Sequence, residues 1–141
     1  MFPSHDLWVR GDIGGDQISA LGYDGTQFLS KVMTVGFSTS TWHHIAGTWY
    51  DDGGTPTVQS WFNNTTDGTN TNVSFSESGH TLNATRIGSI GGVSVFFDGY
   101  IAECAMWDTN LTSAEVAELA DGLSPMLIRP ANLVFYLPMV R

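Results

Sequence analysis

Carboxylates are the side chains in this sequence whose spacing would reveal a hydrolase. Retaining hydrolysis of a glycosidic bond uses two carboxyl groups about 5–5.5 Å apart, which acidic residues on one face of a strand provide. Glu115 and Glu118 fall in a predicted helix, and Glu77 stands alone in a predicted loop. Glu103 has no acidic residue two positions away, and Asp98 would lie on the opposite face of a regular strand. We therefore expect the chain not to be an enzyme.

Nucleophilic catalysis and histidine-based metal binding have no support in the sequence either. The G-x-S-x-G pattern of a serine hydrolase does not occur. Cys104 is the only cysteine, so no intrachain disulfide can form, and its place in an apolar strand predicts a buried, inert thiol. His43 and His44 are consecutive, so they point to opposite faces of a strand and cannot bind the same ion.

The segment 94–107 predicts a long central strand. From Tyr100 to Trp107 the side chains alternate between two faces, and both faces are largely apolar. Such a strand is expected where a sheet is covered on both sides.

A short helix is predicted directly after this strand. Thr112 and Glu115 have the spacing of a capping box, which closes the first turn of a helix. Leu111 is expected to pack on Val116, and Gly122 is placed to end the helix after about two turns.

Other alternating segments predict an all-β chain. Gly-rich turns are expected at 11–16 and 51–56, and an exposed loop at 63–80. Strands spaced in this way are typical of a jelly-roll sandwich of two antiparallel sheets. The predicted strands cover 5–10, 17–23, 27–35, 42–50, 58–63, 73–75, 85–90 and 133–139.

Four motifs, in order, resemble those of a known family. The pattern F-x-G-x-I-x-E-x-x-x-W followed by LTSAEVAEL resembles the closing segment of laminin-G-like domains, which belong to the concanavalin A-like lectin/glucanase superfamily. Upstream, TWHHIAGTW at 41–49, VQSWFN at 58–63 and R-I-G at 86–88 resemble further elements of the same domains. The resemblance implies a concanavalin A-like jelly roll at residues 1–122, abbreviated at its N-terminus.

The remaining residues, 123–141, form a Pro-containing tail with a predicted terminal strand. That strand resembles the first strand of a laminin-G-like domain, not its last. It either completes the chain's own sheet, as in a circular permutation, or pairs with a neighbouring chain. The Pro-containing tail of this chain resembles the tails of laminin-G-like proteins encoded by bacteriophages.

Three sets of candidate site residues follow, each with a simpler structural alternative. Aromatic side chains that would stack on a sugar are otherwise expected to fill the core; they are Trp49, Tyr50, Trp61 and Trp107. The resemblance implies three candidate carboxylate ligands for Ca²⁺, which are Asp51, Asp52 and Asp98. Asp51 and Asp52 are otherwise expected to be turn residues. Three residues that would contact another subunit are otherwise expected to pack on the chain's own helix; they are Met126, Leu127 and Ile128. Three more, on the terminal strand, are otherwise expected to complete the chain's own sheet; they are Leu133, Phe135 and Tyr136.

Charge and composition narrow the choice of partner. Fourteen acidic residues against five basic ones give a net charge of −9, which argues against nucleic acid as a ligand. No apolar run reaches the roughly 20 residues of a membrane helix, and the first residues lack the pattern of a secretory signal.

We therefore expect a non-catalytic structural protein, a capsid decoration or tail/fibre component of a bacteriophage virion assembled in the host cytoplasm. Its expected partners are other virion proteins or copies of itself in a homo-oligomer. No cofactor is expected, unless Ca²⁺ binds at the carboxylates named above. The alternative is a lectin-like module that binds cell-surface glycans.

Overall fold

The computed structural model describes residues 4–12, 15–24, 27–38, 40–51, 53–72, 74, 87–90 and 94–138. These residues form antiparallel strands, one α-helix, α1 (Ser113–Ala120), and one 3-10 turn (Pro125–Leu127). The predicted class, mostly β with a short helix near the C-terminus, is confirmed. The strands are β1 (Ser4–Asp12), β2 (Gly15–Tyr23), β3 (Phe28–Thr34), β4 (Ile45–Asp51), β5 (Pro56–Phe62), β6 (Thr65–Thr71), β7 (Ser89–Ile90), β8 (Ser94–Phe96), β9 (Cys104–Trp107) and β10 (Leu133–Leu137).

Two three-stranded antiparallel sheets form the first two layers. One has the order β1-β2-β3 and the other β4-β5-β6, and β5 lies against both β2 and β3. Between them Ala20, Leu29 and Val58 are buried, with Trp49 packed against them. Alternate residues of β2, β3 and β5 therefore face a common core, as the period of two in the sequence requires.

A buried serine joins these two sheets. Ser60 on β5 is fully buried, and its hydroxyl accepts a hydrogen bond from the Ala20 amide at 2.8 Å. The same hydroxyl donates to the Lys31 carbonyl. Ala20 and Lys31 are opposite residues of the β2–β3 ladder, so one side chain of the second sheet serves two backbone groups of the first. The two layers are thereby fixed in register.

Gly47 on β4 allows the sheets to approach closely. A Cβ at this position would lie 2.8 Å from the Ala20 Cβ and 2.6 Å from the ring of Trp49. Both distances are shorter than side-chain contacts allow, so glycine is required by space.

A third layer covers the opposite face of the second sheet. Trp61 on β5 is buried with Leu111, Val116 and Ile128, and Ala46, Trp107 and Leu119 pack around this cluster. The helix thus buries its single apolar side against β4 and β5, while the other face of those strands meets the first sheet.

The helix ends are as predicted. The Thr112 side chain accepts from the Glu115 amide, and the Glu115 carboxylate accepts from the Thr112 amide, which is a complete capping box. Gly122 has a φ of +95°, and its amide bonds to the Leu119 carbonyl while the Leu123 amide reaches Glu118. This is the Schellman arrangement that glycine favours.

The predicted central strand is wrong as a single element. The structure has two short strands there, β8 and β9, and residues 97–103 between them are irregular. Glu103 has a φ of +54°, a left-handed conformation that a strand does not accommodate. The face argument that separated Asp98 from Glu103 therefore does not apply.

The predicted loop at 63–80 is also wrong in its first part. Residues Thr65–Thr71 form β6, which pairs with β5 through a two-residue turn at 63–64. Asn63 has a φ of +54°, which asparagine tolerates and which tight hairpins need. The polar composition of these residues led to the prediction of a loop. They form an edge strand instead, which has a paired strand on one side only among the described residues.

Other strand boundaries differ by a few residues. The predicted turn at 11–16 is mostly strand, since Asp12 pairs with Gly15. β4 begins at Ile45 instead of residue 42, and β10 ends at Leu137 instead of residue 139. The strand predicted at 73–75 lies largely outside the described residues.

Replacement of Ser60 by alanine tests the link between the sheets. Ser60→Ala leaves the Ala20 amide and the Lys31 carbonyl without their buried partner, so we expect the free energy of unfolding to fall by about 1–3 kcal/mol. Urea denaturation gives the value. Ser113→Ala, at an exposed helix position, is the matched control and should change stability by less than about 0.5 kcal/mol. Equal midpoints for the two variants would contradict the bridging role.

Candidate functional site

β9 and β10 form a two-stranded antiparallel ribbon that has a partly exposed apolar face. Met106 lies opposite Phe135, and Cys104 lies opposite Leu137, so these four side chains share one side, which we call the outer face. Met106 is 49% exposed, Phe135 37% and Leu137 39%, and Cys104 is partly exposed. Val134, the extra residue at the irregularity in the β10 pairing, is also exposed.

The opposite side of the ribbon is held to the body of the protein. The indole N–H of Trp107 donates to the Ile128 carbonyl at 2.7 Å, and Trp107 packs on the helix cluster. The Asn132 side-chain amide donates to the Asp108 carboxylate at 2.9 Å, which closes the end of the ribbon. These contacts fix which side of the ribbon faces solvent.

An ion pair ties the connecting segment to the start of the helix. The Arg129 Nε donates to the Glu115 carboxylate, whose other oxygen accepts from the Thr112 amide at 2.7 Å. The bond from Arg129, followed by the bond from the Thr112 backbone, lowers the pKa of Glu115 to about 2. One carboxylate therefore caps the helix and anchors the segment that leads to β10.

A second side-chain contact lies at the other end of the ribbon. The Tyr136 hydroxyl donates to the Glu103 carboxylate, and this bond raises the pKa of Tyr136. Burial, with a smaller contribution from the negative charge of Glu103, raises the pKa of the Cys104 thiol. The prediction that Cys104 is buried is wrong, because its side chain is partly exposed.

The six predicted interface residues divide into separate groups. Ile128 is 4% exposed and packs under the helix, so it has no surface to offer another subunit. Met126 and Leu127 are exposed on the 3-10 turn. Phe135 lies on the outer face. Leu133 and Tyr136 are partly buried on the opposite side of the ribbon, where Leu133 pairs with Trp107 and Tyr136 pairs with Ala105.

The four predicted sugar-stacking residues do not form a common surface. Trp61 is 3% exposed in the core and has no free ring face. Trp49 and Trp107 pack against the two core clusters, one on each side of the second sheet. Tyr50 is partly buried on β4.

The structure describes two of the three predicted calcium ligands, Asp51 and Asp98. Asp51 is exposed, and its carboxylate accepts from the Gly54 amide at 2.5 Å, which is a turn contact. Asp98 is exposed in the irregular segment, and Asp52 lies outside the described residues. In the described part of the chain, no three His, Cys, Asp or Glu side chains form a group able to hold a metal ion.

His43 and His44 are packed and hydrogen-bonded. His43 stacks on Phe62 with ring centroids 5.0 Å apart, and its Nε2 lies 3.1 Å from the Ser38 amide nitrogen. His44 Nδ1 lies 3.2 Å from the Asn63 carbonyl oxygen, and burial lowers the pKa of His44.

The first sheet carries a groove that the sequence patterns did not predict. It has a volume of about 300 Å³ and lies on the side of β2 and β3 that carries Ser19, Leu21 and Val32. Phe28 is 63% exposed there and stacks on Tyr23 with ring centroids 4.5 Å apart. The groove lining is neutral: Gln17, Ile18, Ser19, Leu21, Phe28, Ser30 and Val32. The polar residues alternating with apolar ones along β2 and β3 were the available signal.

The outer face was also missed as a unit, although its alternation is visible in the sequence. Cys104 and Met106 were placed on one face, and Phe135 and Leu137 alternate in the same way. The pairing of the two strands was the missing information.

Comparison with known proteins gives the family context. A laminin-G family profile, described as the concanavalin A-like lectin/glucanases superfamily, matches residues 6–117, which is most of the chain. No curated protein and no solved structure matches at a significant level. Within the described residues, the helices lack the length and apolar character needed to span a bilayer.

Replacing Glu115 by glutamine isolates the charge at the helix start. Glutamine keeps the capping hydrogen bond but not the ion pair with Arg129, so we expect a loss of roughly 0.5–1 kcal/mol at pH 6. Because the folded-state pKa is below the ordinary 4.5, this stabilisation is present above pH 4.5 and is lost as pH falls towards 2.

The stability difference between the natural chain and Glu115→Gln should therefore be smaller at pH 3 than at pH 6, as measured by urea denaturation. Glu118→Gln, on the exposed side of the same helix, is the control for charge alone. A difference independent of pH would contradict the ion-pair anchor.

Proposed function

Because the chain belongs to the concanavalin A-like lectin/glucanases superfamily, we propose that it is a non-catalytic interaction domain that serves as a structural component of a bacteriophage virion. The outer face of the ribbon carries this proposal. Its partners are other virion proteins or further copies of the chain, and its place of action is the particle.

The composition of the outer face supports a role in contact between proteins. Met106, Phe135 and Leu137 present flexible and aromatic apolar surface side by side, which is the chemistry found at the centre of protein interfaces. In an isolated soluble chain such side chains gain by burial, about 25 cal/mol for each Å² removed from water. A complex with a partner that covers these side chains would therefore be stabilised.

The anchoring of the ribbon supports the same role. Its inner side is fixed by the Trp107 bond to Ile128 and by the Asn132 bond to Asp108. A contact surface held in one orientation loses little conformational freedom on binding, and so more of the contact energy remains as affinity.

Two sequence features favour the non-catalytic virion role within the superfamily. No two acidic residues lie two positions apart in the sequence, which is the spacing that places carboxylates on one face of a strand, and the Pro-containing tail resembles that of phage laminin-G-like proteins. The net charge of −9 favours a place on the outside of a particle, away from packaged nucleic acid.

The virion role is tested on purified particles of the encoding phage. We expect quantitative mass spectrometry to find the chain at a fixed copy number after density-gradient purification and a high-salt wash. A high copy number would indicate capsid decoration, and a low one a tail or fibre component. Recovery of the chain only in the soluble fraction of the lysate would contradict the proposal.

A carbohydrate-binding role is the second candidate, and the groove on the first sheet favours it. A volume of about 300 Å³ is at the lower end of ligand pockets, and the exposed Phe28 ring offers a face for stacking. Gln17 and Ser19 add an amide and a hydroxyl for hydrogen bonds, and the neutral lining suits an uncharged sugar.

A glycan array separates the two candidates. If the groove binds sugar, Phe28→Ala should reduce the array signal at least tenfold, because it removes the stacking face. Tyr100→Ala removes an 83% exposed aromatic outside the groove and should leave the signal unchanged. An array without signal, or a signal lost in Tyr100→Ala only, would reject the groove as a sugar site.

A further inference from the structure

We infer that one water molecule binds between the second sheet and helix α1, where it bonds to the side chains of Thr48, Trp61 and Asn110. Three buried polar atoms carry this inference: the Thr48 hydroxyl oxygen, the Trp61 indole nitrogen and the Asn110 side-chain oxygen. The site is internal and separate from the outer face and from the groove on the first sheet. The inference therefore does not depend on the proposed function.

Thr48 and Trp61 lie on the same side of the second sheet. Gly47 faces the first sheet, so Thr48, the next residue of β4, faces away from it. Trp61 also faces away, because it packs in the cluster under the helix. Thr48 lies opposite Gln59 and Ala46 lies opposite Trp61, which makes Thr48 and Trp61 diagonal neighbours across the β4–β5 ladder. Long side chains reach across such a diagonal.

Asn110 brings the third polar atom to the same region. It directly precedes Leu111, which packs in the cluster with Trp61 and Val116. The residue as a whole is partly exposed, but its side-chain oxygen is buried. The loop that leads into the helix therefore places an amide oxygen at the edge of the cluster.

No side chain or backbone group among the described residues bonds to any of these three atoms. Thr48 is 8% exposed and Trp61 is 3% exposed, so bulk solvent does not reach them. A buried polar group that lacks a partner costs about as much free energy as a lost hydrogen bond, and such groups in native proteins are bonded to protein or to ordered water. Three of them on one side of one sheet point to a bound molecule.

The hydrogen-bonding roles of the three atoms select a neutral occupant that both donates and accepts. The Trp61 indole N–H only donates, the Asn110 oxygen only accepts, and the Thr48 hydroxyl does either. The amide oxygen disfavours an anion and the indole N–H disfavours a metal ion. A single water satisfies all three atoms, and buried waters typically make about three hydrogen bonds.

This water adds a directional link to a cluster that is otherwise built on apolar contact. It joins the loop before the helix to both β4 and β5, and hydrogen bonds depend on distance and angle. The same cluster includes Trp107, which holds the inner side of the ribbon. The water therefore helps to fix the helix, and with it the ribbon, relative to the second sheet.

Replacement of Thr48 by valine tests the site through the sign of its effect. Valine keeps the shape and the β-branching of threonine and removes only the hydroxyl. Because the variant loses one bond to the water, we expect a lower urea midpoint and a folding equilibrium constant reduced about fivefold. If the hydroxyl has no partner, valine removes an unsatisfied buried group and the midpoint rises instead.

Thr57→Val is the matched control on the same side of the same sheet. Thr57 is 4% exposed and its hydroxyl donates to the Thr55 carbonyl at 3.0 Å, so this variant loses a bond that the structure shows. Its urea midpoint should fall, and that of Thr48→Val should fall with it. An unchanged or raised midpoint in Thr48→Val would overturn the inference.

Nuclear magnetic resonance detects the water directly. A water bound at Trp61 gives cross-relaxation between the indole proton and the water resonance, with opposite signs in laboratory-frame and rotating-frame spectra, whereas proton exchange gives the same sign in both. The signal should persist in Thr48→Val, in which the water keeps two partners, so it does not arise from the hydroxyl proton. Absence of the signal in the natural chain, or its loss in Thr48→Val, would overturn the inference whatever the urea midpoints.

Discussion

The close approach of the two sheets at Ser60 is the constraint on which the rest of the structure depends. The Ser60 hydroxyl bonds to the Ala20 amide and the Lys31 carbonyl at once, which requires β5 to lie directly against the β2–β3 ladder. Gly47 leaves the space for this approach, because any larger residue would meet Ala20 and Trp49. A buried polar bridge of this kind fixes relative position more strictly than apolar contact, since hydrogen bonds depend on both distance and angle.

The position of the second sheet in turn determines the position of the ribbon. One side of β4 and β5 meets the first sheet, and so the other side, with Trp61 and Ala46, is free to receive the helix. The helix cluster includes Ile128, whose carbonyl accepts the Trp107 indole N–H. The ribbon is thereby held by its inner side, and its outer face is left in solvent. The exposure of the outer face, on which the proposed function rests, thus follows from the order of the layers.

Local sequence patterns predicted the elements whose signals are short-range. Three features of the helix ends were identified, because each depends on residues that are close in the sequence. They are the capping box at Thr112 and Glu115, the packing of Leu111 on Val116, and the terminal Gly122. The turn at 51–56 and the strands on either side of it were identified from turn residues and alternation, and these strands pair as β4 and β5. The family resemblance also agreed with the profile match over residues 6–117.

Features that depend on strand pairing were not predictable in the same way. β6 has a polar composition and was not predicted as a strand, because the ladder to β5 stabilises it. Apolar alternation predicted one strand over 94–107, although the left-handed conformation of Glu103 interrupts that segment. The outer face exists only because β9 and β10, far apart in the sequence, lie opposite one another. The burial of Trp61 and Ile128 depends on the third layer, which the alternation of single strands does not reveal.

Oxidative footprinting of the methionines tests most directly the central claim, that the outer face is free in the isolated chain. Met106 is exposed on the outer face, Met126 is exposed on the 3-10 turn, and Met33 is buried in the first sheet. In dilute solution we predict that hydrogen peroxide oxidises Met106 at a rate close to that of Met126 and much faster than Met33. Protection of Met106 to the level of Met33 in the dilute monomer would show that the chain covers its own outer face, and would contradict the account.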